Sequence, residues 1–208
     1  MVSILTGDII NSRQTATAIC LDILKDALQH SAPKKSEIFR GDSFQLQVKP
    51  EESFLTAVYI KSCIKTVKDL DVRIAIGIGK RGQTAEKITE ANGEAFIFSG
   101  EKLETLKHER VSLAIKTAFP DFDTEINLAI RLALVVMDNW TPVSASLIKL
   151  SLEHNNPSQK ELASLAGKGQ SSVSEALKRA QFHLIMELDQ EYRRKLNSLI
   201  KDNGNTAH

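Results

Sequence analysis

Two aspartates stand beside glycines at the ends of apolar stretches, in Gly7-Asp8-Ile9-Ile10-Asn11-Ser12-Arg13 and Arg40-Gly41-Asp42-Ser43-Phe44-Gln45. If one sheet brings Asp8 and Asp42 together, they offer hard oxygen ligands, and Mg²⁺ is the expected cofactor. A divalent ion with a nucleoside triphosphate is the apparatus of phosphoryl transfer. Arg13, Arg40, Gly41, Lys80 and Arg81 are the candidate nucleotide contacts, with Lys80 and Arg81 placed to hold phosphates. The plainer alternative has Asp8 capping a helix and Asp42 stabilising a turn, with Arg13 and Arg40 as their ion-pair partners. No residue is assigned a catalytic role. A bare Gly77-Ile78-Gly79 is a weak phosphate signal and reads better as close packing, and His108 reads as a surface residue.

A second constellation lies in SQKELASLAGKGQSSVSEALKRA, Ser158 to Ala180. Ser158 and Glu161 have the spacing of a capping box, so a helix starts there. Leu162, Ala163, Leu165 and Ala166 give it a buried side, and Gly167 stops it as a C-cap. A second helix starts near Gln170, with Val173, Ala176, Leu177 and Ala180 inward at i, i+3, i+4 and i+7. Gln170, Ser171, Ser174, Glu175 and Lys178 are left outward. Gln and Ser at a helix start can bond base edges or phosphates in a major groove. Lys160, Lys168, Lys178 and Arg179 outnumber Glu161 and Glu175, and phosphate neutralisation supplies most non-specific affinity. The candidate DNA contacts are therefore Lys160, Lys168, Gln170, Ser171, Ser172, Ser174, Lys178 and Arg179. The bland reading is a helical hairpin that packs on a protein surface, and Glu175 counts slightly for it.

The elements that must position these groups are legible in outline. Val2 to Ile10 suits a central buried strand. Gln14 to Gln29 reads as a helix, Ser36 to Val48 as a hairpin, and Glu51 to Leu70 as an amphipathic helix. Val72 to Gly79 alternates, with Val72, Ile74, Ile76 and Ile78 on one face and the small residues Ala75, Gly77 and Gly79 on the other beside Arg73. Gly93 to Leu106 follows as a helix and Val111 to Ala118 as a last strand. From Asp123 onward only helices are expected, ending in a long one from about Gln181 to Ile200. Its Leu184, Ile185, Leu188, Tyr192, Leu196, Leu199 and Ile200 form more apolar surface than a lone tail needs. That predicts a homodimer through this C-terminal helix, or packing of the helix within its own chain.

Strand, helix, hairpin, helix, strand is the order of the palm shared by class III nucleotide cyclases and GGDEF-type diguanylate cyclases. Asp8 and Asp42 match the metal-binding positions of that palm, and the Ile9 carbonyl matches a backbone ligand. The chain more closely resembles the SatD family over nearly its full length. The matching motifs are GDIINSR at the first strand, RGDSFQ at the hairpin, RIAIGIG at the next strand and the C-terminal helix-turn-helix. The resemblance implies an α+β fold: an N-terminal ferredoxin-like, nucleotide-cyclase-like palm and a C-terminal all-helical helix-turn-helix domain. Ser43 stands where the family hairpin has Glu, and Arg40 where a GGDEF turn has its first Gly. The Asn and Arg that cyclases place on the helix after the third motif fall at Ile97 and Glu101. A Glu there repels the phosphates that an Arg stabilises.

The 208 residues accommodate a palm over 1–120, a helical connector over 121–140 and a helix-turn-helix domain over 141–208. Net charge is +1, so any attraction to nucleic acid must be local. Cys20 and Cys63 sit in apolar segments and read as buried free thiols. The N-terminus is too short for a membrane span and lacks a signal peptide's basic start, so a cytoplasmic protein with no membrane partner is expected. The leading expectation is a DNA-binding regulator, not an enzyme, whose palm binds a nucleotide or metal ion. The alternative is a Mg²⁺-dependent nucleotidyl-transfer or cyclase-like enzyme targeted by its helix-turn-helix.

Overall fold

The apolar run Val2–Ile10 forms β1, the middle strand of the sheet, paired on both sides. A computed structural model describes residues 1–12, 17–32, 35–80, 82, 88 and 92–205. The sheet is mixed and five-stranded, in the order β2-β3-β1-β4-β5. Here β2 is Ser36–Phe39, β3 Ser43–Val48, β4 Asp71–Gly79 and β5 Leu113–Lys116. All neighbours are antiparallel except β4 and β5, which are joined through a helix and run parallel. Among the described residues there are eight α-helices: α1 (Thr17–Ser31), α2 (Ser53–Ile64), α3 (Glu94–Glu109), α4 (Pro120–Met137), α5 (Pro142–Glu153), α6 (Gln159–Ala166), α7 (Gln170–Arg179) and α8 (Phe182–Asn205). The fold is α+β.

Both faces of the sheet are covered. Val72, Ile74, Ile76 and Ile78 of β4 join Leu24 and Leu28 of α1 and Phe54 and Val58 of α2 in the main core. The small face receives α3. A Cβ on Gly77 would sit 2.1 Å from the Ala95 carbonyl oxygen and 2.5 Å from the Ser99 nitrogen. Gly77 and Gly79 therefore admit a helix, not a ligand. The open edge of β5 is closed by side chains of α4. Asn127 accepts from the Ile115 N–H at 2.8 Å and donates to its carbonyl at 2.9 Å, and Asp123 accepts from the Thr117 N–H at 2.9 Å. These bonds occupy groups that an unpaired edge would present to another chain.

The segment expected to be amphipathic over Glu51 to Leu70 is helical over Ser53–Ile64 and buried on nearly every side, because α1, α5 and the sheet surround it. It carries Lys61, only 1% exposed, into the interior. Lys61 Nζ lies 2.6 Å from Asp71 and 2.7 Å from Asp138, and donates to Ser112 at 3.2 Å. Lys65 bonds the other oxygen of Asp71 at 3.2 Å and the Asp138 carbonyl at 2.7 Å. Unpaired, such buried charges would cost several kcal/mol each, so the network fixes α2 against the start of β4 and the end of α4.

The core runs on into the helical region. Ile126, Ile130 and Leu134 of α4, Ile148 of α5, and Ile185, Tyr192 and Leu196 of α8 belong to the same cluster as the sheet residues. The Tyr192 hydroxyl lies 2.7 Å from Ser53 Oγ and donates to the Pro50 carbonyl at 2.6 Å. Leu188, Leu199 and Ile200 pack against the cluster too. Of the two uses expected for the tail helix's apolar side, packing within its own chain takes up all the named residues except Leu184, which stays exposed. Leu128, Leu132 and Val135 of α4 are exposed as well. Cys20 and Cys63 are buried free thiols, and burial pushes the Cys63 thiol up to about 12.

Candidate functional site

Asp8 is the seventh residue of β1, and register decides what it meets. It lies opposite Ser43 on β3 and Arg73 on β4. Arg73 Nη1 donates to both Asp8 oxygens, at 3.1 and 3.2 Å. Burial pushes the Asp8 carboxyl above its ordinary value. The Arg73 guanidinium and the Lys107 ammonium oppose that rise, and the Asp42 carboxylate adds to it. Pairing with Ser43 puts Asp42 at the same end of the sheet as Asp8, near enough for its charge to be felt there. Among the described residues the ion-pair partner of Asp8 is not Arg40 but Arg73, the first residue of the third motif.

Asp42 closes the hairpin. Arg40 and Gly41 take positive φ values of 54° and 87°, which turn the chain between β2 and β3. The Asp42 carbonyl accepts from the Ile9 N–H at 3.1 Å, which docks the turn on the end of β1. Its carboxylate accepts from Ser12 Oγ at 2.8 Å, with Ser43 Oγ at 3.4 Å. Arg40 is exposed beside it and Gly41 opens onto free space. This end of the sheet thus combines two carboxylates, two serine hydroxyls, Arg73, Lys107 and the Arg40 side chain. The residues fit a divalent cation in chemical type, since two carboxylates and hydroxyl oxygens are hard donors. A cation there must compete with the Arg73 guanidinium for Asp8. Among the described residues no cluster of three or more His, Cys, Asp or Glu side chains has metal-binding geometry.

The remaining candidate nucleotide contacts do not gather here. Lys80 follows the last residue of β4, beside Val2 at the opposite end of the sheet. Seven residue steps along the strand separate it from Arg73, about 23 Å at ~3.3 Å per residue. Lys80 cannot share a small ligand's phosphates with Asp8 and Asp42, a correction that pairing register alone supplies. Arg13 and Arg81 lie outside the described residues. Ile97 is exposed on α3, and Glu101 pairs with Lys116 at 2.5 Å.

The second candidate surface is α6 and α7. The capping box is formed: Ser158 Oγ accepts from the Glu161 N–H, and the Glu161 carboxylate accepts from the Ser158 N–H at 2.9 Å. Gly167 ends α6 at a φ of 60°. Leu162 and Ala163 of α6, Val173 and Ala176 of α7 and Leu147 of α5 form a small core of their own. The C-terminal end of α7 is anchored twice: Trp140 Nε1 donates to the Ala180 carbonyl at 3.1 Å, and Ser144 Oγ to the Ala176 carbonyl at 3.3 Å. With Val173, Ala176 and Ala180 turned inward, Gln170, Ser171, Ser172, Glu175, Lys178 and Arg179 are exposed and Ser174 is half-buried. Lys160 and Lys168 are exposed as well. Gly169 precedes α7 with no side-chain cap, so its first N–H groups have no capping side chain. Arg179 is 3.8 Å from Glu175, a solvated i,i+4 pair that holds neither firmly.

No described helix is long and apolar enough to cross a membrane. No family model matches the chain, and no curated protein matches it.

Proposed function

We propose that this chain is a DNA-binding regulator with a SatD-like organisation, in which α6 and α7 form a helix-turn-helix and α7 enters the major groove. One observation carries the reading. The polar edge of α7, from Gln170 to Arg179, is free of the body of the molecule while its apolar edge is anchored on α5 and Trp140. A recognition helix needs both, a rigid back and unspent hydrogen-bonding groups in front. Lys160, Lys168, Lys178 and Arg179 supply the phosphate contacts, and Gln170, Ser171, Ser172 and Ser174 face the groove. Titration of mixed-sequence duplex DNA at several salt concentrations tests the proposal. Binding that weakens steeply with salt supports it, and binding indifferent to salt, or none, overturns it.

The N-terminal part supports a palm-type reading. The order β2-β3-β1-β4 with antiparallel neighbours, and α1 and α2 on one face, is that of a ferredoxin-like unit extended by β5. In this reading the palm senses a nucleotide or Mg²⁺ at Asp8 and Asp42, with Arg40 and Gly41 at the lip. The second reading, a Mg²⁺-dependent nucleotidyl-transfer enzyme, rests on the same two carboxylates. The Arg73–Asp8 pair and the exposed Ile97 favour sensing over catalysis. Incubation with nucleoside triphosphates and Mg²⁺ or Mn²⁺ separates the two, because only the enzyme releases a product.

A further inference from the structure

Where β1 ends and β4 begins, a cavity of about 650 Å³ opens between the α/β body and the helical region. Its walls are Ile10 and Asn11, the turn from α2 into β4, the chain just after α3, and the corner between α4 and α5. The volume is that of a small-molecule site. It is distinct from the Asp42 hairpin, and Arg73 stands between the two.

The charges on its walls are unequally spent. Asp71 and Asp138 are held by Lys61 and Lys65 in the buried network. Lys68 and Arg110 make no ion pair with any described residue. Asp69, at the solvent edge, is the one wall carboxylate without a cation among the described residues. Arg73 gives a single Nη to Asp8 and keeps a buried Nε with no partner. The 12-residue helix α5 starts on the wall, with Thr141 as N-cap and Pro142 in its first turn. Its N-terminal end adds about half a positive charge to the same space. Arg110 is the C-cap of α3 at a φ of 55°, a position where glycine is the low-energy residue. An arginine there accepts backbone strain and sets a guanidinium on the cavity wall.

We infer that this cavity binds a small phosphate-bearing molecule, with Arg110 and Lys68 as its phosphate clamp and Trp140 as an apolar wall. Two unpaired cations, one of them held in a left-handed conformation, and a helix N-terminus converge on one space of ligand size, and both favour an anion. The inference does not depend on the DNA reading.

Trp140 is the only tryptophan in the chain and lines this cavity, so its fluorescence reports on it. The probe is inorganic pyrophosphate, titrated into the full chain at low salt without divalent ions. A saturable change in Trp140 emission is expected, weakened about tenfold or more in Lys68→Ala and in Arg110→Gly. Arg110→Gly relieves the left-handed strain, so its Tm should equal or exceed that of the parent, which separates lost binding from lost folding. Lys178→Ala/Arg179→Ala, two exposed cations that do not line the cavity, should bind pyrophosphate as the parent does. The inference is overturned by no saturable change up to ~10 mM pyrophosphate, or by parent-like binding in both cavity variants. An equal loss in the α7 variant would also overturn it, because it would mean non-specific anion attraction.

Discussion

Replacing Arg73 with methionine isolates the electrostatics of the candidate carboxylate site. The change keeps a long apolar stem and removes the guanidinium whose Nη1 bonds both Asp8 oxygens. Breaking a fully buried pair by removing one partner costs about 3–5 kcal/mol. Here the side chains of Arg73 and Asp8 keep 17% and 22% of their exposure, and water reaching Asp8 lowers the cost to about 2 kcal/mol. The loss should depend on pH, with a determinate sign. Burial already holds the native Asp8 pKa above its unfolded value, so the native state takes up a proton first and stability gains as pH falls through the native pKa. Without Arg73 the native pKa rises further, so the gain starts at higher pH and is larger. Urea unfolding at pH 7.5 and pH 5 should show Arg73→Met destabilised at the first and less so at the second. Asp8→Asn/Arg73→Met should recover most of the loss at both. A loss below about 0.5 kcal/mol at pH 7.5, the size of an exposed pair, or one equal at both pH values, would refute the reasoning. So would a double variant no more stable than Arg73→Met.

Gly77→Ala should cost 3 kcal/mol or more, roughly the scale of core overpacking, because its Cβ meets backbone atoms of α3 at 2.1 and 2.5 Å; thermal unfolding measures it, and a Tm within 2 °C of the parent (under ~1 kcal/mol) would mean α3 is not packed as described. Tyr192→Phe should cost about 1 kcal/mol by removing the bonds to Pro50 and Ser53, because Ser53 Oγ still donates to the Pro50 carbonyl at 2.8 Å; urea unfolding reads it, and a neutral result would mean that the hydroxyl is not bonded as described.

The alternation from Val72 to Gly79 marked β4 to within a residue, and its small face pointed correctly to a close neighbour. Ser158 with Glu161 and Gly167 marked both ends of α6, because caps are local chemistry. Partnership across the sheet was not legible. Asp8 and Arg73 are far apart in sequence, and a shift of one residue in register would put them on opposite faces. The same blindness placed Lys80 beside Asp8, although the strand carries it to the far end. Lys61 escaped notice because an internal lysine on a helix reads as a solvent face until Asp71 and Asp138 are seen to close around it. The tail helix illustrates a different limit: its apolar stripe was plain, but a stripe cannot say whether it meets its own chain or another.

The central claim is that α7 is the element that touches DNA. Four exposed cations flank it, so if each neutralises one phosphate the slope of log K against log salt should be about −3.6 per bound chain, at ~0.9 per phosphate. The direct measurement is that slope for the parent and for Lys178→Ala/Arg179→Ala, from fluorescence anisotropy on a labelled duplex between 50 and 200 mM KCl (about the range over which such contacts are resolved). A decrease in its magnitude by about 1.8 in the double variant, ~0.9 for each lost contact, with an unchanged Tm, is the predicted outcome. An identical slope in the two proteins would contradict it.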